Sequence, residues 1–294
     1  MNKYVIAIII VIVFGIVAEG VVYYYVIPKQ SPLPKPLSVQ LNDNISVNYV
    51  GTLPNGQVFD TSILQVAVNN ATYPKAVSFV FRGNTKYIPL DVHVGPSGGS
   101  STYITTVRGF WQNLIGMNVN QSKTFIVSPS EGYGYANPQL IDRMNIYQNI
   151  SSVKFYNNTD FTTIYPGIRP QAGISFTDTH WGWTDYILSA NSSGVMIQFS
   201  PYVGEIVNPF GWNVKVLAIH SNGTNSTITI KNLLTPYDDN NLMGKDFRGN
   251  SFIVTNVNLQ NNTFVIDYNK QIVGVNLTFT VTVLSITPYN ITAG

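Results

Sequence analysis

Residues 45–62 read ISVNYVGTLPNGQVFDTS. Ile45, Val47 and Tyr49 alternate with Ser46 and Asn48, the two-residue period of a strand with one face in a core and the other toward water. Leu53-Pro54-Asn55-Gly56 then breaks the period with a turn, because Asn-Gly tolerates the positive φ that tight hairpins need. Val58-Phe59-Asp60 brings the chain back, so one hairpin presents a Tyr, a Phe and an Asp close together. The same period returns in AVSFVF (76–81), KTFIVS (123–128), VMIQF (195–199), NVKVLAI (213–219), STITIK (226–231) and LTFTVTVLSI (277–286), between turns rich in Asn, Gly, Ser and Pro. A chain patterned this way builds sheets. The best globular helix spans about 107–116, where Val107, Phe110 and Leu114 share a face and Gly116 is placed to end it. A weaker helix is expected near 61–68.

Composition narrows the function. Charged residues make up 10% of the 294 residues and the net charge is +2. Nucleic-acid binding needs a clustered basic face, and none is present. With no Cys there is no disulfide frame, thiolate nucleophile or Cys metal site. His93, His180 and His220 stand apart without partners at ligand spacing, which gives no metal site. Trp181, Trp183, Trp212 and Phe210, with Tyr186 and Tyr202, read as a small core or as a sticky surface.

Residues 4–27, YVIAIIIVIVFGIVAEGVVYYYVI, are apolar over a length that crosses about 30 Å of hydrocarbon as a helix. The run is long for a signal peptide and lacks a small-x-small cleavage site, so a retained transmembrane helix in residues 1–27 is expected. Residues 28–38, PKQSPLPKPLS, form a Pro-rich linker. Asn-x-Ser/Thr sequons at Asn44, Asn70, Asn120, Asn149, Asn157, Asn191, Asn222, Asn225, Asn261, Asn276 and Asn290 exceed chance placement. Either an Asn- and Thr-rich strand protein makes them by accident, or the body faces outward and is glycosylated.

The hairpin pattern, V-x-Y-x-G-x-L-x-x-G-x-x-F-D-x-S, resembles the opening of the FK506-binding (FKBP-type) family of peptidyl-prolyl isomerases. Three later segments resemble the same family in order. VRGFWQNLIGM (107–117) is similar to its central helix, and SKTFIVSPSEGYG (122–134) to the next strand and Pro-x-x-x-Tyr-Gly. VIDYNKQIVGVNLTFTVTVLSI (265–286) is similar to the ending of the long subfamily that includes the SlyD chaperones. The resemblance covers roughly half the chain and implies an α+β, β-rich fold. Its core is an antiparallel half-barrel around one short helix, formed by residues 39–135 plus 263–288. Residues 136–262 become a mostly β, chaperone-like subdomain inserted in the flap loop, and a smaller insertion spans about 63–88.

The resemblance also implies a site. Asp60, held by Tyr49, sits beside the substrate carbonyl, and Tyr133 donates a hydrogen bond to a carbonyl. Phe59 joins them in the catalytic set. Thr106, Val107, Phe110, Phe279, Leu90 and Val92 bind the prolyl substrate, with Phe110 at the floor position where many relatives have tryptophan. Leu90 and Val92 replace the family's frequent Phe, making one wall smaller and weakening any forecast about a macrolide ligand. The family's Asp-x-Asn-His reads Asp267-Tyr268-Asn269-Lys270 here. Prolyl isomerisation requires no cofactor. Expected partners are unfolded or Pro-containing polypeptides and, through residues 4–27, a membrane. Two rivals stand beside an exported, outward-facing isomerase: a catalytically weak binding module on the same fold, and a structural surface glycoprotein.

Overall fold

The computed structural model describes residues 37–222 and 225–289. The expected span at 4–27, most of the Pro-rich linker and the sequon at Asn290 lie outside the described residues. Among those described, no helix is long and apolar enough to cross a membrane.

The chain folds into two bodies. The first opens with β1 (Asn44–Thr52), whose residues are alternately buried and half-buried as the period requires. The turn after it closes through Gly56 N–H donating to the Leu53 carbonyl at 2.9 Å. Only Gly56 takes a positive φ, at 83°, and Asn55 does not. Strand β2 (Val58–Thr61) pairs back on β1, followed by α1 (Leu64–Val68), β3 (Leu90–His93), β4 (Ile104–Thr105), α2 (Arg108–Leu114) and β5 (Ser122–Val127). The last strand of this sheet, β18 (Leu277–Thr287), arrives from far along the chain and lies between β1 and β5. The order is β4-β3-β1-β18-β5, antiparallel except for the β3–β4 pair. Helix α2 buries Phe110, Trp111 and Leu114 against Val47, Phe125, Phe279 and Val281 of the sheet. Each such side chain removed from water contributes about 1.5–3 kcal/mol. The helix ends where expected: Gly116 has φ +84° and donates to the Val39 carbonyl at 2.8 Å, fastening the start of the body to the end of α2.

The second body holds three four-stranded antiparallel sheets. One orders β8 (Val153–Tyr156), β11 (Gly194–Phe199), β10 (Thr184–Asn191) and β9 (Ser175–Thr177). The next orders β12 (Ile206–Val207), β13 (Val214–Asn222), β14 (Asn225–Asn232) and β7 (Tyr147–Ser151). The third orders β15 (Met243–Lys245), β16 (Ser251–Asn258), β17 (Thr263–Asp267) and β6 (Ile141–Asn145). Helix α3 (Asn158–Ile164) is capped by Asn157, whose side chain accepts from Asp160 N–H at 2.7 Å. One continuous core joins the sheets, with Trp181, Trp183 and Trp212 inside it. Of the aromatics read as a small core or a sticky surface, Tyr186 and Tyr202 lie on the surface, 45% and 68% exposed. Their strand and loop positions face outward.

The boundary of the second body differs from the sequence reading. The resemblance places residues 263–267 in the first body, yet β17 pairs with β16 and β6. Amphipathic period marks a strand but not the sheet it joins. The two crossing segments are clasped together. The Asn269 side-chain oxygen accepts from Asn137 N–H (3.0 Å), and its amide NH2 donates to the Asn137 carbonyl (3.1 Å) and to Asp267 Oδ1 (2.7 Å). Tyr268 N–H meets the Leu140 carbonyl and Gly274 N–H meets the Gly134 carbonyl, both at 2.9 Å. The Asp-x-Asn motif is therefore the fastener of the insertion.

Candidate active site

Strand β1 aims Tyr49 inward at its β2 end, and the backbone there is fixed by three bonds. Tyr49 N–H donates to Ser62 Oγ (2.9 Å), while the Tyr49 carbonyl accepts from Thr61 Oγ1 (2.7 Å) and Ser62 N–H (3.1 Å). The Tyr49 hydroxyl then donates to Asp60 Oδ2 at 2.6 Å, a charge-assisted distance. Thr61 N–H holds the other carboxylate oxygen at 2.8 Å. Arg82, carried in by the 63–88 insertion, forms an ion pair with Asp60 at 3.2 Å and a hydrogen bond to the Thr61 carbonyl. Its guanidinium lies 5.0 Å from the Tyr87 ring centroid. Burial, then Asp60, raises the Tyr49 phenol, and the same two causes raise Tyr133. Both phenols therefore stay protonated donors through neutral pH.

These groups edge a cavity of about 380 Å³. Its floor is aromatic: Phe110 meets Phe279 edge-on at 5.0 Å and Tyr49 at 6.2 Å, and Phe59 meets Phe279 at 5.7 Å. Thr106, Val107 and Leu90 complete the walls, and Tyr133 stands at the rim, half-exposed, on the turn after Pro129. The Thr106 hydroxyl oxygen is buried there without a protein partner. The structure thus brings together Tyr49, Phe59, Asp60, Leu90, Thr106, Val107, Phe110, Tyr133 and Phe279. Val92 is not among them. It is fully buried, paired with Ile45 deep in the sheet, while the cavity opens at the Tyr49 end of β1. Alternation put Val92 on the correct face but could not fix its depth. Arg82 was missed: it is one of three cations in its insertion, with Lys75 and Lys86, and nothing in sequence singles it out. Ile104 and Thr105, also in the wall, carry no motif.

Gly51 sits beside this floor, opposite Phe279 in the sheet. A Cβ there would stand 2.6 Å from Phe59 Cζ and 3.1 Å from Phe279 Cε1. Gly51→Ala is expected to displace both rings, costing about 1–3 kcal/mol of stability from overpacking. Urea unfolding of the variant beside the unmodified chain checks it.

Elsewhere, His180 lies 3.6 Å centroid to centroid from Phe247, and burial pushes it down to about 4. Among the described residues no group of three His, Asp or Glu side chains could hold a metal ion.

Two similarities to known proteins bear on this geometry. Residues 35–146 match the family of FKBP-type peptidyl-prolyl cis-trans isomerases. The match stops at β6, so β18, which supplies Phe279, is added from outside it. A short-type peptidyl-prolyl cis-trans isomerase of Methanocaldococcus jannaschii is 29% identical over 106 residues, which cover 36% of this chain and 57% of that protein. The chain thus spans little more than half the length of this curated relative.

Proposed function

We propose that the chain is a peptidyl-prolyl cis-trans isomerase of the FKBP type. The observation that carries the reading is the Tyr49–Asp60 pair at the mouth of a cavity floored by Phe110 and Phe279. Rotation of an Xaa-Pro bond is opposed by roughly 18–20 kcal/mol of lost amide resonance. An enzyme lowers that barrier by holding the twisted amide better than the planar one, without a nucleophile or cofactor. The aromatic floor excludes water and seats the pyrrolidine ring. As the amide twists, its carbonyl carbon becomes more ketone-like and electron-poor, and the adjacent Asp60 carboxylate stabilises it. The Tyr133 phenol offers a donor to a substrate carbonyl.

The substrates are unfolded or Pro-containing polypeptides. Residues 4–27 anchor the chain and the body faces outward, acting on exported or surface proteins in which prolyl isomerisation limits folding. The second body serves as a SlyD-like chaperone subdomain. Its hollow of about 490 Å³, walled by Trp181, Phe210, Trp212, Phe247 and Phe252, supports that role as a place for apolar segments. The test is exchange NMR on an Xaa-Phe-Pro-Xaa peptide with the full-length chain added. Faster cis/trans exchange is expected. A folded chain that leaves the exchange rate unchanged overturns the proposal.

A further inference from the structure

The prolyl cavity does not end at Asp60. Phe59, Asp60, Arg82 and Tyr133 are also walls of a second hollow, about 490 Å³, that runs between the two bodies. Its far side sets apolar walls, Val80 from the 63–88 insertion, Met243 and Ile253 from β15 and β16 and Ile272 from the return segment, beside the polar Asn269, Lys270 and Gln271. Val80 is 71% exposed and Met243 36%, so apolar surface is left open beside the site. Hydrogen bonds set the shape of the hollow. Ser78 Oγ donates to Gln271 Oε1 (2.7 Å), Gln271 Nε2 to the Asn240 carbonyl (3.3 Å), and Gln57 Nε2 to Asn241 Oδ1 (2.8 Å). These bonds tie the hairpin loop and the small insertion to the second body. The charge is also uneven. Arg82 is committed to Asp60, whereas Lys270, at the motif position where the resembling family has His, pairs with no carboxylate among the described residues.

The geometry points to a second subsite for the same polypeptide. Chain flanking the proline on the Asp60–Tyr133 side lies in the interbody hollow, with a bulky aliphatic or aromatic side chain against Val80, Met243 and Ile272 and an acidic side chain against Lys270. The argument is continuity. An extended chain advances about 3.3 Å per residue, so neighbours of a seated proline already meet the shared rim. The inference rests on reading the first cavity as the prolyl site.

The test compares the full-length chain in lipid nanodiscs on two substrates: an Xaa-Phe-Pro-Xaa tetrapeptide, and a longer peptide with leucine and aspartate beside the proline. Val80→Asp and Met243→Asp change exposed positions outside the prolyl cavity. Both are expected to leave tetrapeptide exchange unchanged and to lower kcat/KM for the longer peptide about tenfold, as for losing a hydrophobic subsite. Lys270→Glu is expected to reverse the preference between aspartate and lysine in that peptide. Equal handling of the longer peptide by all four proteins overturns the subsite. If the unmodified chain does not turn over the tetrapeptide, the isomerase reading falls by itself. Fluorescence anisotropy of the labelled longer peptide then decides the subsite: weaker binding by Val80→Asp and Met243→Asp supports it, and equal binding overturns it.

Discussion

Asp60→Ala is expected to lower kcat/KM for Xaa-Phe-Pro-Xaa peptides about 20-fold, or nearly 2 kcal/mol of transition-state stabilisation. The carboxylate is the one acceptor that Tyr49, Thr61 N–H and Arg82 all converge on. Its removal does more than take charge away from the twisting amide. The Tyr49 hydroxyl loses its partner at the cavity mouth, and Arg82 loses the ion pair that ties the small insertion to β2. Tyr49→Phe separates these effects. It keeps the carboxylate and its two other contacts, and a loss of about threefold is expected, the value of one partly exposed hydrogen bond. Fold should survive in both, since the Tyr49 main-chain bonds to Thr61 and Ser62 do not involve the changed atoms. Activity retained in a folded Asp60→Ala chain removes Asp60 from the site.

The legible parts of this molecule are those whose cause is local. Ile45, Val47 and Tyr49 announce β1 because alternation and burial are the same fact on a pleated strand. Gly116 announces the end of α2 because a positive φ there suits glycine. The lining of the cavity was largely readable because most of its residues sit inside four ordered motifs. What escaped depends on contacts between distant segments. Arg82 reaches Asp60 only through the path of the 63–88 insertion. Residues 263–267 and 277–287 look alike as strands, yet the first closes a sheet of the second body and the second completes that of the first. Val92 shows the remaining gap, since period gives the face a residue points to and only the packed sheet gives its distance from the cavity mouth.

The second body is expected to lose stability as the medium turns alkaline, and Asp185→Asn to abolish that loss. Asp185 on β10 is fully buried, and neither carboxylate oxygen meets a donor at hydrogen-bond geometry. Its neighbour Asp178 is well supplied, accepting from His180 N–H (2.7 Å), Trp181 N–H (2.6 Å) and the Tyr165 hydroxyl (2.7 Å). Burial first, then the Asp178 charge, pushes Asp185 up to about 9 from 3.8. Between those values the folded state holds a proton that the unfolded state releases, so folding weakens as pH rises, by up to about 1.4 kcal/mol per unit. His180 acts oppositely. Burial lowers it to about 4 from 6.5, so between those values the unfolded state binds the extra proton and stability rises with pH. The two effects offset one another up to about pH 6.5, and Asp185 acts alone above it. The unfolding free energy is therefore expected to stay nearly level from pH 4.5 to 6.5 and to fall by roughly 2 kcal/mol from pH 7 to 9. Urea titration followed by the fluorescence of Trp181, Trp183 and Trp212 reads this body, with Trp111 the single reporter of the other. In Asp185→Asn the side chain stays neutral at every pH and its amide can donate to Asp178. The alkaline fall should vanish, and the rise from pH 4.5 to 6.5 due to His180 should emerge. An alkaline slope equal to that of the unmodified chain would mean that Asp185 does not carry the proton.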